Sequence, residues 1–297
     1  MANNLIMYGG SGDFTSLYNS GFTTCIINSF HIRPSGIQWN DTFVVDSSGT
    51  ATSDMASLQS TVSGLQDNGI DVLLSIGGGG AFPPNQYINA SHSVSDVDFM
   101  IFSSLYFGAQ PMDAPFSASI PSLAMLGGLI SASGATGIDL DPEPSFFEYS
   151  TFAAATATLT EWAQQQTPPL QVTWVPYTQQ ASWAGYASLV QADGSPLPNW
   201  INVQPPAWSD GPTLQSWAAL GSPIVAGCNA TYPGGDKIPL SQIQNQLADA
   251  VNCGAQPVGA YVWNLSDLPC SPCDYAAALN AGLAGCTTSD VRTKIAV

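Results

Sequence analysis

The feature that most constrains this chain is its rhythm. Short apolar, β-rich runs recur along the whole length, separated by stretches with helical periodicity. The runs fall at residues 5–8, 25–30, 72–76, 137–141, 172–175, 201–203, 224–226 and 260–263. Each is nearly continuous in apolar residues and too short for a helix, which is the pattern of a strand buried on both faces. Helical patterns lie between them at 54–65, 152–165, 240–251 and 275–283. Strands alternating with helices, without a break in composition, predict a single-domain α/β fold. The expected architecture is a closed (β/α)8 TIM barrel over residues 1–286, followed by a polar tail at 287–297. A doubly wound open sheet is the alternative. The length of 297 residues suits a barrel of roughly 250 residues with insertions. The stretch at 81–135 is too long for one crossover, and two helices with an ordered loop are expected there.

Charge excludes several functions. Against 21 acidic residues stand four basic ones, and two of these, Arg292 and Lys294, lie in the last six residues. A net charge of −17 repels phosphate backbones, so nucleic acid is not an expected partner. An anionic membrane surface is excluded for the same reason, and no apolar run approaches the ~20 residues of a membrane span. The N-terminus shows no basic segment followed by an apolar one, which fits either a cytosolic chain or one whose signal has been removed. Scarce lysine and a low pI point to a secreted protein in an acidic extracellular setting. Four sequons, headed by Asn40, Asn89, Asn229 and Asn264, support secretion only weakly. The six cysteines, Cys25, Cys228, Cys253, Cys270, Cys273 and Cys286, are compatible with disulfides or with buried free thiols. Cys270-Ser-Pro-Cys273 resembles half a zinc knuckle, but no second pair exists and the only histidines are His31 and His92. No metal and no cofactor are expected.

The chemistry is concentrated in Gly137-Ile138-Asp139-Leu140-Asp141-Pro142-Glu143. Alternate side chains of a strand share a face, so Asp139, Asp141 and Glu143 are expected together, opposite Ile138 and Leu140. Three neighbouring carboxyls inside a barrel cannot all ionise, and at least one must keep its proton near neutral pH. The bland alternative is an exposed acidic turn, Asp-Pro-Glu-Pro, closing an ordinary strand. A glycine run at 77–80 lacks the Lys-Ser/Thr of a phosphate loop and the spacing of a dinucleotide fold.

Asp139-x-Asp141-x-Glu143 resembles the Asp-x-x-Asp-x-Asp-x-Glu signature on the fourth barrel strand of glycoside hydrolase family 18. Ser75-Ile76-Gly77-Gly78 matches that family's Ser-x-Gly-Gly element on the third strand, and Tyr261-Val262-Trp263 matches its eighth. Tyr8, after the first strand, and Gln204, after the sixth, are similar to polar positions of the plant-type single-domain chitinases. These elements occur in the family's order along nearly the whole chain. The resemblance implies substrate-assisted retaining hydrolysis of β-1,4-linked N-acetylglucosamine, with the substrate's N-acetyl group as nucleophile. It gives Glu143 the role of acid and then base. Asp141 would hold the N-acetyl amide, and Asp139 would share a proton with Asp141. Trp263 would floor the sugar subsite, with Tyr8, Gly78, Gln204, Tyr177 and the loop residue Trp208 as further substrate contacts. The expected partner is an N-acetylglucosamine-containing oligo- or polysaccharide, bound by a monomer.

Two positions depart from the family pattern. Thr136 stands where its first Asp should be, and Pro206 replaces a Tyr on the sixth strand that holds the reacting N-acetyl group. The departures keep a silent chitinase-like lectin in view as the second reading, alongside an endo-β-N-acetylglucosaminidase acting on N-glycan cores. A storage or defence protein is disfavoured by the retained Trp263 and acidic row. A serine or cysteine hydrolase lacks a base in a recognisable context.

Overall fold

The computed structural model describes residues 3–78, 122–142, 150–177, 180–192, 197–268 and 270–286. The eight expected strands are β1 (Asn4–Gly9), β2 (Thr24–Arg33), β5 (Asp71–Gly77), β6 (Gly137–Asp141), β7 (Gln171–Trp174), β8 (Trp200–Val203), β9 (Ile224–Asn229) and β10 (Gly259–Trp263). They pair in parallel in chain order, and β1 closes the ring by pairing with both β10 and β2. A hairpin, β3 (Gly36–Trp39) and β4 (Thr42–Asp46), extends antiparallel from the end of β2 and lies outside the predicted set. The helices are α1 (Met55–Asp67), α2 (Ser122–Ser133), α3 (Ser150–Gln164), α4 (Gln180–Ala192), α5 (Gly211–Ser216), α6 (Leu240–Asn252) and α7 (Pro272–Leu283). Of the stretch expected to hold two helices, α2 is described and residues 79–121 lie outside the described residues.

Helical spacing explains how the outer ring attaches. In α1 the buried residues Met55, Leu58, Val62 and Leu65 recur every three or four positions and form one stripe against the barrel. The helix stops at Gly69, whose φ of +74° lets Ile70 N–H reach Leu65 O at 3.1 Å and Gly69 N–H reach Gln66 O at 2.9 Å. The chain then enters β5. Along the strands the two-residue period divides the side chains between two cores. Ile138, Leu140, Val172 and Trp174 pack outward under the helices. Ile6, Tyr8, Ile26, Leu73, Val175, Trp200, Val225 and Tyr261 fill the interior.

All six cysteines are free thiols, so the disulfide expectation is corrected. Cys25 and Cys228 are buried, and desolvation pushes the Cys228 thiol up to about 12. They act as small apolar fillers of the outer core.

Candidate active site

β6 carries Asp139 and Asp141 on the interior face with Ile138 and Leu140 on the other, as the strand period requires. The two carboxylates are 0% and 2% exposed, which excludes the exposed-turn alternative for this pair. Glu143 lies outside the described residues.

Register brings the partners of Asp139 level with it. Ser75 on β5 and Thr173 on β7 stand directly beside Asp139 on its two neighbouring strands. The Thr173 hydroxyl donates to Asp139 Oδ1. Across the barrel the Tyr8 hydroxyl lies 3.3 Å from both oxygens. Asn202 Nδ2 lies 3.2 Å from Asp139 Oδ1 and 2.9 Å from the Tyr8 oxygen. The orientation of this amide follows from its other end, because Trp200 Nε1 donates to Asn202 Oδ1 at 2.9 Å. Burial dominates the proton balance of Asp139 and raises its pKa from 3.8 to about 6, while donation from Thr173, Ser75, Asn202 and Tyr8 pulls the other way. The Tyr8 phenol is itself raised well above its ordinary value, first by burial and then by the charge of Asp139.

One layer higher, Asp141 Oδ1 accepts from Gln204 Nε2 at 3.2 Å, and Asp141 O accepts from Gly78 N–H at 3.0 Å. Gly78 has a φ of +110°, and a Cβ there would sit 2.6 Å from Ser29 Oγ. Only glycine lets the end of β5 lie this close to Ser29 on β2.

Above the carboxylates opens a cleft of about 550 Å³, lined by Tyr177, Gln204, Pro206, Tyr232, Trp263 and Asp267 among others. Trp263 is partly exposed, and its ring packs on Tyr8 at 5.3 Å. A sugar ring over Trp263 would therefore rest above the acidic row. A second cleft of about 550 Å³ opens at the other end of the barrel, between the ends of α2 and α3. Thr136 lines this second cleft, its hydroxyl donating to Val72 O at 3.1 Å. Its departure from the family pattern thus falls outside the hydrogen-bonded set around Asp139.

The structure brings together Asp139, Asp141, Tyr8, Gly78 and Gln204, and it puts Tyr177, Gln204 and Trp263 on one cleft. It alters two expectations. Tyr8 is fully buried beneath Trp263 and Tyr261, so it supports Asp139 and presents no surface to a sugar. Trp208 is 3% exposed, with Nε1 donating to Gly227 O at 3.2 Å, so it is an outer-core ring and not a sugar platform. Thr173 and Asn202 were missed. Each is a lone polar residue inside an apolar strand, at the parity that points inward, and that was the available signal. No three His, Cys, Asp or Glu side chains among the described residues converge as metal ligands.

No protein-family model and no curated protein matches the sequence. Solved structures do match. A GH18 chitinase from Pseudoalteromonas aurantia is 17% identical, with 94% of this chain and 100% of that chain covered at a TM-score of 0.66. The barrel is the one that family 18 glycoside hydrolases share. A fungal endo-beta-N-acetylglucosaminidase of glycosyl hydrolase family 18 is 19% identical over 94% of this chain and 98% of its own, at a TM-score of 0.62. A xylanase and alpha-amylase inhibitor protein from Scadoxus multiflorus is 14% identical over 97% of this chain and 100% of its own, at a TM-score of 0.51. The barrel thus occurs in proteins described as hydrolases and in proteins described as inhibitors, and its chemistry must be argued from the site.

Proposed function

We propose that this chain is a glycoside hydrolase of family 18 type, acting on β-1,4-linked N-acetylglucosamine by substrate-assisted retaining catalysis. The observation that carries the reading is the buried Asp139–Asp141 row, held by Tyr8, Thr173, Asn202 and Gln204 beneath an aromatic cleft floored by Trp263. In this reading Glu143, two residues beyond Asp141, protonates the glycosidic oxygen and then activates water. Asp141 orients the N-acetyl group, whose carbonyl oxygen attacks the anomeric carbon, and stabilises the oxazolinium ion. Gln204 holds Asp141 in place, and Asp139 supplies a neighbouring carboxyl that takes up or releases a proton near pH 6. Pro206 lines the cleft without a hydroxyl to offer the N-acetyl group. Tyr177 and Gln204, on the same cleft, are the groups that would replace it. The acidic composition fits work outside the cell.

Pro206 on the cleft favours one second reading, a barrel that binds such sugars without turning them over. Release of a fluorescent aglycone from a di- or tri-N-acetylglucosaminide, from acidic to neutral pH, separates the two. Turnover that vanishes in Glu143→Gln supports the hydrolase. Absence of turnover, with sugar binding still visible in tryptophan fluorescence, refutes it in favour of the lectin.

A further inference from the structure

Among the described residues three large apolar side chains are exposed: Tyr177 at 43%, Tyr232 at 39% and Val258 at 38%. Isolated exposed rings are ordinary on protein surfaces. Here the two tyrosines line the same cleft, the one containing Trp263. Tyr232 is moreover built into position. It sits on a hairpin between β9 and α6, where Ala230 N–H bonds Trp263 O at 2.9 Å and Ile238 N–H bonds Ala230 O at 2.9 Å. Thr231 bridges Lys237, and Tyr232 N–H bonds Asp236 O at 2.7 Å. The turn closes from Gly235 N–H to Tyr232 O at 3.0 Å, with Gly234 and Gly235 at φ values of +113° and +93° that suit glycine. At its far end the Tyr232 hydroxyl bonds Gln242 Oε1 on α6.

The ring is therefore fixed at both ends, tied through Ala230 to the backbone of Trp263, and left with its surface in water. A held aromatic surface beside polar groups is how a protein recognises a ligand with an apolar face and a hydroxylated rim, and little entropy is lost on binding to it. Asn229 and Thr231 line the same cleft and supply the polar rim. A pyranose has such a face and such a rim.

We infer that Tyr232, with Tyr177 on the same cleft, forms a further saccharide subsite next to the one floored by Trp263, taking a neighbouring sugar unit of the same β-1,4-linked chain. The inference rests on the proposed function and deepens it, because it makes the site a reader of chain length.

The test uses the full chain carrying Glu143→Gln, titrated calorimetrically with N-acetylglucosamine oligomers of two to five units. Tyr232→Ala in that background is expected to weaken the longest oligomers by about tenfold and the dimer by less than about twofold. Tyr232→Phe keeps the ring and loses only the bond to Gln242, and is expected to retain most of the long-chain affinity. Gly235→Ala has no atom within 4 Å of the new methyl and strains only the backbone, so it should loosen the hairpin and give a smaller loss of the same kind. Equal weakening at all lengths, or none at any, overturns the subsite while leaving the hydrolase reading intact. Failure of the parent Glu143→Gln chain to bind any oligomer overturns both.

Discussion

Replacing Asn202 by leucine removes the amide that joins Tyr8, Asp139 and Trp200 while keeping the same branched shape and number of heavy atoms at a fully buried position. In the parent chain Asp139 titrates at about 6 instead of 3.8, so the folded state holds its proton more tightly than the unfolded one. The sign follows directly. The stability from this group is complete below about pH 4, declines as pH rises toward 6, and the total decline is ~3 kcal/mol for a difference of about two pH units. Hydrogen bonds to a buried carboxylate contribute roughly 1.5–3 kcal/mol. Losing the one from Asn202 should therefore move the Asp139 titration up by a further one to two pH units, to about 7–8. Trp200 Nε1 loses its acceptor as well, a loss of ~1–3 kcal/mol at every pH. Two effects are thus expected in urea unfolding followed from pH 4 to pH 8. The variant is uniformly weaker, and its decline with pH continues about one to two pH units beyond the parent's before levelling. The other groups around Asp139, Tyr8, Ser75, Thr173 and Tyr261 on other strands and Asp141 on its own, are common to both proteins. The second effect is diagnostic, because a cavity or a lost indole bond has no pH dependence. Parallel profiles for parent and variant would refute the assignment, as would a carbon-13 titration showing the Asp139 carboxyl unmoved.

Gly78→Ala should lose ~1–3 kcal/mol of thermal stability, because the new methyl meets Ser29 Oγ at 2.6 Å on a φ of +110°, and turnover should fall with it. An unchanged melting temperature would contradict the close approach of β5. Trp208→Ala should destabilise by ~3–5 kcal/mol as a core deletion, while the fraction that remains folded binds sugar normally. A selective loss of sugar affinity would restore the platform role. A thiol reagent should label the exposed Cys253, Cys270 and Cys273 in the native protein but reach Cys25 and Cys228 only after unfolding, and a reductant should leave the melting temperature unchanged. A drop on reduction would reveal a disulfide.

The barrel was legible because a strand buried on both faces writes itself as an apolar run, whatever its neighbours do. The hairpin β3–β4 was overlooked although its turn was visible. Asn40 and Asp41 both take positive φ, 49° and 63°, in a two-residue loop that the Asn-Asp pair favours. Asp139 and Asp141 were legible because parity within one strand fixes their shared face. Their partners were not, since Thr173 and Asn202 reach Asp139 only through the register between strands and across the barrel. Tyr8 and Trp208 fell on functional positions by sequence order alone. Their burial depends on Tyr261 and Trp263 above one and on β9 beside the other, which no local pattern encodes. Tyr232 is one of ten tyrosines, and only the hairpin that presents it distinguishes it.

Composition and site chemistry meet at Asp139. The chain has four cationic residues, and the two within the described residues lie elsewhere: Arg33 donates to Ile32 O at the end of β2, and Lys237 is exposed on the Tyr232 hairpin. The hydrogen-bond donors to Asp139 among the described residues are neutral, the hydroxyls of Tyr8, Thr173 and Ser75 and the amide of Asn202. An adjacent guanidinium would hold a carboxyl ionised at any working pH. Neutral dipoles offset burial only in part, and the carboxyl is left near 6, where it can gain and lose a proton. The net charge of −17 does not explain this, because surface charges more than ~10 Å away are largely screened at ordinary ionic strength. The local choice of Tyr8, Thr173 and Asn202, where a lysine or arginine could have stood, sets the proton affinity of the row. The same choice places the loss of stability between pH 4 and 6 in the interval where the site changes its charge.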